Sequence, residues 1–180
     1  MLLPLLLLAG CGTKRSNTQD ALDFRTRLLE AGSCTFDAAL TAQYGETAAQ
    51  FSMHCTVSLE QGADMTLTAP ETLRGITAHV DRSGAKLVFD GAEIGFPPLA
   101  GGRLAPMCAP WLLADGLAGG YIAWTGVEDG ALRVTYLCGY GTDELALDVW
   151  FDGDMPSRAE LGYDGQTLLC AELTNFTFEA

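Results

Sequence analysis

Residues able to act as nucleophiles, bases or metal ligands are few and scattered in this chain. Besides Cys11, the cysteines are Cys34, Cys55, Cys108, Cys138 and Cys170. No Cys-x-x-Cys occurs, so neither a redox dithiol nor a zinc knuckle is indicated. The two histidines, His54 and His79, fall on the polar side of alternating stretches, with no spacing that gathers metal ligands around them. Asp148, Asp152 and Asp154 lack the order of a calcium loop and read as a solvated turn. Glu144, Asp148, Glu160 and Glu172 offer carboxylate pairs of the kind that glycoside hydrolysis uses. A chain with 23 acidic residues yields such pairs by chance. Gly-x-Ser-x-Gly, the phosphate loop and the dinucleotide fingerprint are missing. The reading is of a protein that is not an enzyme, with no catalytic residue, no metal and no cofactor.

One thiol stands apart. Residues 1–9 are almost pure leucine, broken by Pro4, and the run ends in Leu8-Ala9-Gly10-Cys11. It is too short to span a bilayer, which takes about 20 apolar residues, but long enough for the apolar core of a secretory signal. The last four residues resemble the lipobox of bacterial lipoproteins. Small residues at 9 and 10 suit a signal peptidase, and the Cys11 thiol is the nucleophile that takes a diacylglyceryl group. Two or three chains of the palmitate type, at about 0.8 kcal/mol per buried CH₂, anchor stably where one does not. The polar stretch Gly12-Thr13-Lys14-Arg15-Ser16-Asn17 follows as a tether. No Lys or Arg precedes the leucine run, a departure from the usual signal. The expected organisation is a signal peptide over 1–10, a lipid-anchored tether over 11–19 and one domain over 20–180. The expected location is extracytoplasmic, anchored to the bacterial cell membrane by lipid.

Composition narrows the partners. The chain has 180 residues, 10 Lys plus Arg against 23 Asp plus Glu, and a net charge of -13. That argues against nucleic acid and against docking on anionic lipid through a basic patch. Hydrophobic residues are 48% and charged ones 18%, enough to build a core without metal or disulfide.

The elements that must position these residues can be read from periodicity. Asn17 or Thr18 can cap a helix over 20–31 with Asp20 and Asp23 near its first turn. Ala21, Phe24 and Leu28, with Leu22 and Leu29 alongside, make its apolar face, and Gly32 ends it. From Ser33 the period becomes two. Folding about Tyr44-Gly45 sets Phe36 opposite Met53 and Cys34 opposite Cys55, which predicts a cross-strand disulfide in an exported protein. Further strands are predicted over 64–69, 73–80, 86–89, 121–126, 131–138, 144–151, 157–163 and 167–178. Asp164-Gly165 is a hairpin signal that sets Leu161 opposite Leu168 and Ala159 opposite Cys170. Cys138 and Cys170 then both point inward, three strands apart at about 4.8 Å each, too far for a bond. Residues 90–120 carry Pro97, Pro98, Gly101, Gly102, Pro106 and Pro110, which forbid a central strand. Pro110 opens a short apolar helix through Trp111, Leu112, Leu113 and Leu117, ended by Gly119-Gly120. Alternation puts Trp150 on the outer face. The fold class is α+β, a large curved antiparallel sheet of eight to ten strands around an N-terminal helix and a helical insert.

In this pattern the chain resembles the LolA-like superfamily of half-barrel lipoprotein carriers. The resemblance runs through the Cys11 anchor, the first helix, Phe51 to Leu59, Met65 to Pro70, Leu73 to Ala78 and the insert over 105–118. It continues in Asp152 to Glu160 and Glu172 to Phe176. It implies a curved sheet enclosing helices over a hydrophobic cavity, in proteins that carry or sense acyl chains. A soluble shuttle role does not carry over to a chain with its own anchor, and no residue maps onto a catalytic position.

Two functions from different classes follow. In the first, a membrane-anchored lipoprotein binds an acyl chain, lipid or other hydrophobic ligand in the concavity of its sheet. The predicted cavity residues are Phe36, Leu40, Met53, Val57, Leu67, Ile76, Leu132, Val134, Leu145, Val149 and Leu161, with Trp111 at the mouth and the insert as a lid. In the second, a filled core supports a surface interaction or sensor module with no ligand. The two differ in whether the space between sheet and helices is empty.

Overall fold

The computed structural model describes residues 16–45, 47–97, 99–100, 103–139 and 144–179. Cys11, on which the anchor expectation rests, lies outside them. Helix α1 spans Asn17–Ala31. Its N-cap is Ser16 rather than Asn17 or Thr18: the Ser16 hydroxyl accepts from the Gln19 N–H at 3.2 Å. Gly32, at φ 72°, closes the other end by donating to the Leu28 carbonyl. Ala21, Phe24 and Leu28 are buried, whereas Leu22 and Leu29 are exposed, so the apolar stripe is narrower than expected.

The strands are β1 Ser33–Tyr44, β2 Thr47–Ser58, β3 Gly62–Ala69, β4 Thr77–Asp81, β5 Gly84–Phe89 and β6 Ala92–Phe96. After the short hairpin β7 Leu99–Ala100 and β8 Arg103–Leu104 comes helix α2, Ala109–Gly119. Then follow β9 Tyr121–Glu128, β10 Ala131–Cys138, β11 Leu145–Asp152, β12 Met155–Tyr163 and β13 Gln166–Glu179. Eleven of them form one antiparallel sheet in the order β6-β5-β4-β3-β2-β1-β13-β12-β11-β10-β9. The first and last strands of the chain thus pair at its middle, and β6 and β9 are its edges. The eleventh strand, β6, falls within the proline-rich stretch because an edge strand needs hydrogen bonds on one side only, and it stops before Pro97. The strand expected from Leu73 begins later, since Glu71–Leu73 forms a 3₁₀ turn and Gly75 sits at φ 85°.

Two registers differ from expectation. In the first hairpin Tyr44 faces Thr47, so Phe36 is opposite Cys55, Cys34 opposite Val57 and Ala38 opposite Met53. A slip of two residues keeps every side chain on its face, so burial follows the predicted alternation. It does remove the direct Cys34–Cys55 opposition, and both thiols are free. In the Asp164-Gly165 hairpin the turn is as expected, with Tyr163 facing Gln166 and both loop residues at positive φ. An irregularity between Leu161 and Gly162 then shifts the pairing by one, so Leu161 faces Leu169 and Glu160 faces Cys170. One residue changes the face: Leu169 is buried and Cys170 turns outward.

The core is one cluster between the concave face of the sheet and the two helices. Phe24 of α1 anchors it, with its ring 5.1 Å from Phe151, 5.5 Å from Phe178 and 5.8 Å from Phe176. Phe176 stacks in turn on Phe36 at 5.5 Å. Such ring pairs contribute about 0.5–1.5 kcal/mol each beyond their burial.

Candidate functional site

The concave face is where the predicted cavity residues converge. Phe36, Leu40, Met53, Val57, Leu67, Ile76, Val134, Val149 and Leu161 are all buried there, and so is Trp111 of α2. Leu132 and Leu145 share the inward side but sit near strand ends and are half-buried. The face is continuous and apolar, as the alternation required.

It is not empty. The expected cavity is closed by α2 and the 3₁₀ turn Pro106–Cys108 before it, which bury Met107, Cys108, Ala109, Trp111, Leu113, Ala114 and Leu117. The gap lined by Phe36, Leu40, Leu113, Leu161 and Leu173 has no room for a water molecule. The insert fills more of the face than its leucines alone would, because Ala109, Ala114, Met107 and Cys108 are buried against the sheet at close range. Gly116 makes this approach possible. A Cβ there would come within 2.6 Å of Leu147 Cδ2 and 2.9 Å of Cys138 Sγ.

The polar ties that hold the insert are few. Arg25 of α1 donates from Nε to the Leu117 carbonyl at 2.9 Å and from Nη2 to the Gly120 carbonyl at 2.5 Å. These carbonyls end α2, where a cation also complements the helix dipole. Arg82 lies 4.0 Å from Asp115 across an exposed gap, a pair of little energetic weight. Arg25 also sits 5.5 Å from the centre of the Tyr136 ring. The Tyr136 hydroxyl is buried without a hydrogen-bond partner, and that burial pushes its pKa up. Periodicity marked Tyr136 only as a strand residue, since nothing in the sequence foretells an unpartnered hydroxyl.

The concave face also runs past its cover. Leu87 and Ile94 are paired across β5 and β6 on the inward side, and Ile94 and Phe89 are exposed. This rim of the sheet has no helix over it among the described residues.

The convex face carries the charges. Arg133 pairs with Asp148 at 3.0 Å and Glu128 at 2.6 Å, and those bonds, Asp148's first, raise its pKa. Arg158 pairs with Glu160. Both guanidiniums lie on Trp150, at 5.0 Å and 4.5 Å from its ring, so the outward tryptophan is nevertheless covered. Of the candidate carboxylates, Asp148 and Glu160 face each other across β11 and β12 and line one open depression with Glu144, but Asp148 is held by Arg133 and Thr135 and Glu160 by Arg158, while Asp154 pairs with Arg27. His54 Nδ1 donates to the Asp37 carboxylate at 2.8 Å, and His79 Nδ1 is 2.8 Å from Asp64 Oδ1. Both histidines are exposed on the polar side, as alternation placed them. Among the described residues no group of three or more His, Cys, Asp or Glu could hold a metal ion. Burial, as the first cause, holds the Cys34 and Cys108 thiols up at about 12 and Cys138 at about 11.

An open, curved antiparallel sheet that encloses an N-terminal helix and one helical insert is the half-barrel of LolA-like proteins. Solved structures share it. An outer membrane lipoprotein-sorting protein domain from Vibrio parahaemolyticus superposes with a TM-score of 0.51 at 10% identity, covering 90% of this chain and 92% of that one. A DUF1329 family protein from Desulfovibrio piger gives 0.50 at 8%, over 92% and 95%. A LolA superfamily protein from Nitrosomonas europaea gives 0.49 at 9%, over 93% and 95%. No protein-family model matches the chain, and no curated protein matches it. The likeness is thus one of fold, carried by topology at identities where side chains have diverged.

Proposed function

We propose that this chain is an extracytoplasmic lipoprotein, anchored through Cys11, that takes an acyl chain or similar hydrophobic ligand against its concave face without catalysis. The observation that carries the reading is the nature of the cover. The apolar face is closed by a glycine-bounded insert held mainly by apolar contact and by Arg25. A ligand entering there exchanges one apolar surface for another, at about 0.8 kcal/mol per CH₂ buried. Displacing α2 also uncovers Tyr136, whose unpartnered hydroxyl is a donor for a ligand carbonyl or carboxylate. The outer membrane lipoprotein-sorting protein domain from Vibrio parahaemolyticus, which shares the fold, supports the reading.

The closed insert supplies its own test. In Gly116→Cys the new Cβ lies about 2.9 Å from Cys138 Sγ, the spacing of a disulfide, with the flexible end of Leu147 giving way. The oxidised variant should bind a fluorescent fatty acid at least about tenfold more weakly than the reduced one, a difference of about 1.4 kcal/mol. Equal binding by the two forms would overturn displacement of the insert. A second reading, an interaction or sensor module with a filled core, is favoured by the gap that excludes even water. It takes over if neither form binds the probe and protein purified from membranes carries no lipid in native mass spectrometry.

A further inference from the structure

The tether is short, and the place where it meets the fold has a distinctive surface. Cys11 precedes the N-cap Ser16 by five residues. Five fully extended residues span at most about 17 Å. An acylated Cys11 therefore keeps the start of α1 close to the lipid headgroups. That start lies on β9: the Thr18 and Thr125 hydroxyls are 3.0 Å apart. Among the described residues β9 is also an open edge of the sheet.

This edge differs from β6 in presenting two exposed aromatic side chains. β9 reads Tyr-Ile-Ala-Trp-Thr-Gly-Val-Glu, with one charge and neither Lys nor Pro, the residues that normally discourage association at an edge. Tyr121 is 71% exposed, Trp124 48% and Val127 65%, with exposed Leu22 of α1 nearby. The one charge, Glu128, is paired with Arg133, which it shares with Asp148. β6, at the far end of the sheet order, likewise has a single charge, Glu93, which pairs with Lys86 of β5, but its exposed large apolar residue is the aliphatic Ile94.

We infer that the β9 edge lies against the bilayer surface, with Trp124 and Tyr121 at headgroup depth. This rests on the Cys11 anchor. The residue types fit that depth, since Trp and Tyr pair an apolar ring with a polar group and concentrate at membrane interfaces. The open edge sets a limit to insertion, because its unpaired N–H and C=O groups need water or headgroup oxygens and cannot enter the hydrocarbon. The same orientation brings the Gly119-Gly120 end of α2 to the membrane, because Gly120 joins directly to Tyr121.

The test uses full-length protein purified from membranes and reconstituted in vesicles of phosphatidylethanolamine and phosphatidylglycerol. The vesicles carry a nitroxide either at the headgroup or deep in the acyl chain. Trp111 and Trp150 are buried, so quenching by the headgroup nitroxide should fall on Trp124, one of three tryptophans. It should exceed quenching by the deep nitroxide and disappear in Trp124→Phe. Intact mass is measured on the same samples. Acylated protein whose emission the headgroup nitroxide leaves unchanged, or quenching that persists in Trp124→Phe, overturns the docking while the anchor stands. A mass without acyl groups overturns the anchor and the docking with it.

Discussion

Trp111 and Trp150 are buried to nearly the same extent, 5% and 8% exposed, by opposite means. Trp111 is on the concave side, within an apolar cluster whose fit depends on shape. Trp150 is on the convex side and is covered by the guanidiniums of Arg133 and Arg158, each bonded to carboxylates. The first kind of burial excludes water and tolerates no change in volume. The second keeps its charges partly hydrated and is screened by salt. One sheet thus presents a face closed by packing and a face closed by paired charge. A chain of net charge -13 does not need to be acidic uniformly: its few arginines are spent where an aromatic ring would otherwise meet water.

The largest effect that would sharpen this contrast comes from the concave side. Phe24→Ala removes a ring that meets three others, and should cost about 3–5 kcal/mol in chemical denaturation, independent of salt. A loss below about 1 kcal/mol would mean that α1 is peripheral to the core. On the convex side, Arg133→Ala should cost about 1–2 kcal/mol, a figure that shrinks as salt rises. It should also open Trp150 to quenching by acrylamide. If salt leaves the cost unchanged, charge is not what closes that face.

The smallest effect leaves stability untouched. Cys34, Cys55 and Cys108 are buried, and burial as first cause raises their thiol pKa values, so at pH 8 they hold almost no thiolate. Cys170 lies outward opposite Glu160. Alkylation of native protein at pH 8 should therefore mark Cys170 first, with Cys34 and Cys55 reacting only after unfolding, and then as free thiols. Rapid labelling of Cys34 in the native state would contradict the concave packing. Linked Cys34 and Cys55 peptides would restore the disulfide that the register removed.

Much of the fold was legible because period-two alternation survives errors of register. The hairpin at Tyr44 slipped by two residues and every side chain kept its face, so Phe36, Leu40, Met53 and Val57 were placed inward correctly. The β12–β13 hairpin shows the opposite case. A single irregularity between Leu161 and Gly162 moved the pairing by one and put Leu169 in place of Cys170 on the inner side. Bulges of this kind leave no mark in hydropathy, because the strand on either side alternates normally. The strand β6 was missed since Pro97 and Pro98 overshadowed five residues that pair on one side alone.

What local pattern could settle was the identity of each element and the side it turns to the core: these depend on spacing within a few residues, on Gly32 ending α1 and on Asp164-Gly165 turning the last hairpin. Only the tertiary structure decided whether the concave face is hollow. That outcome depends on how closely α2 approaches the sheet, and the approach is set by Gly116 against Cys138 and Leu147, residues more than twenty positions away in the chain. The covering of Trp150 has the same origin. Arg133 and Arg158 reach it from the two neighbouring strands, β10 and β12, and no spacing along one strand records a contact made across three.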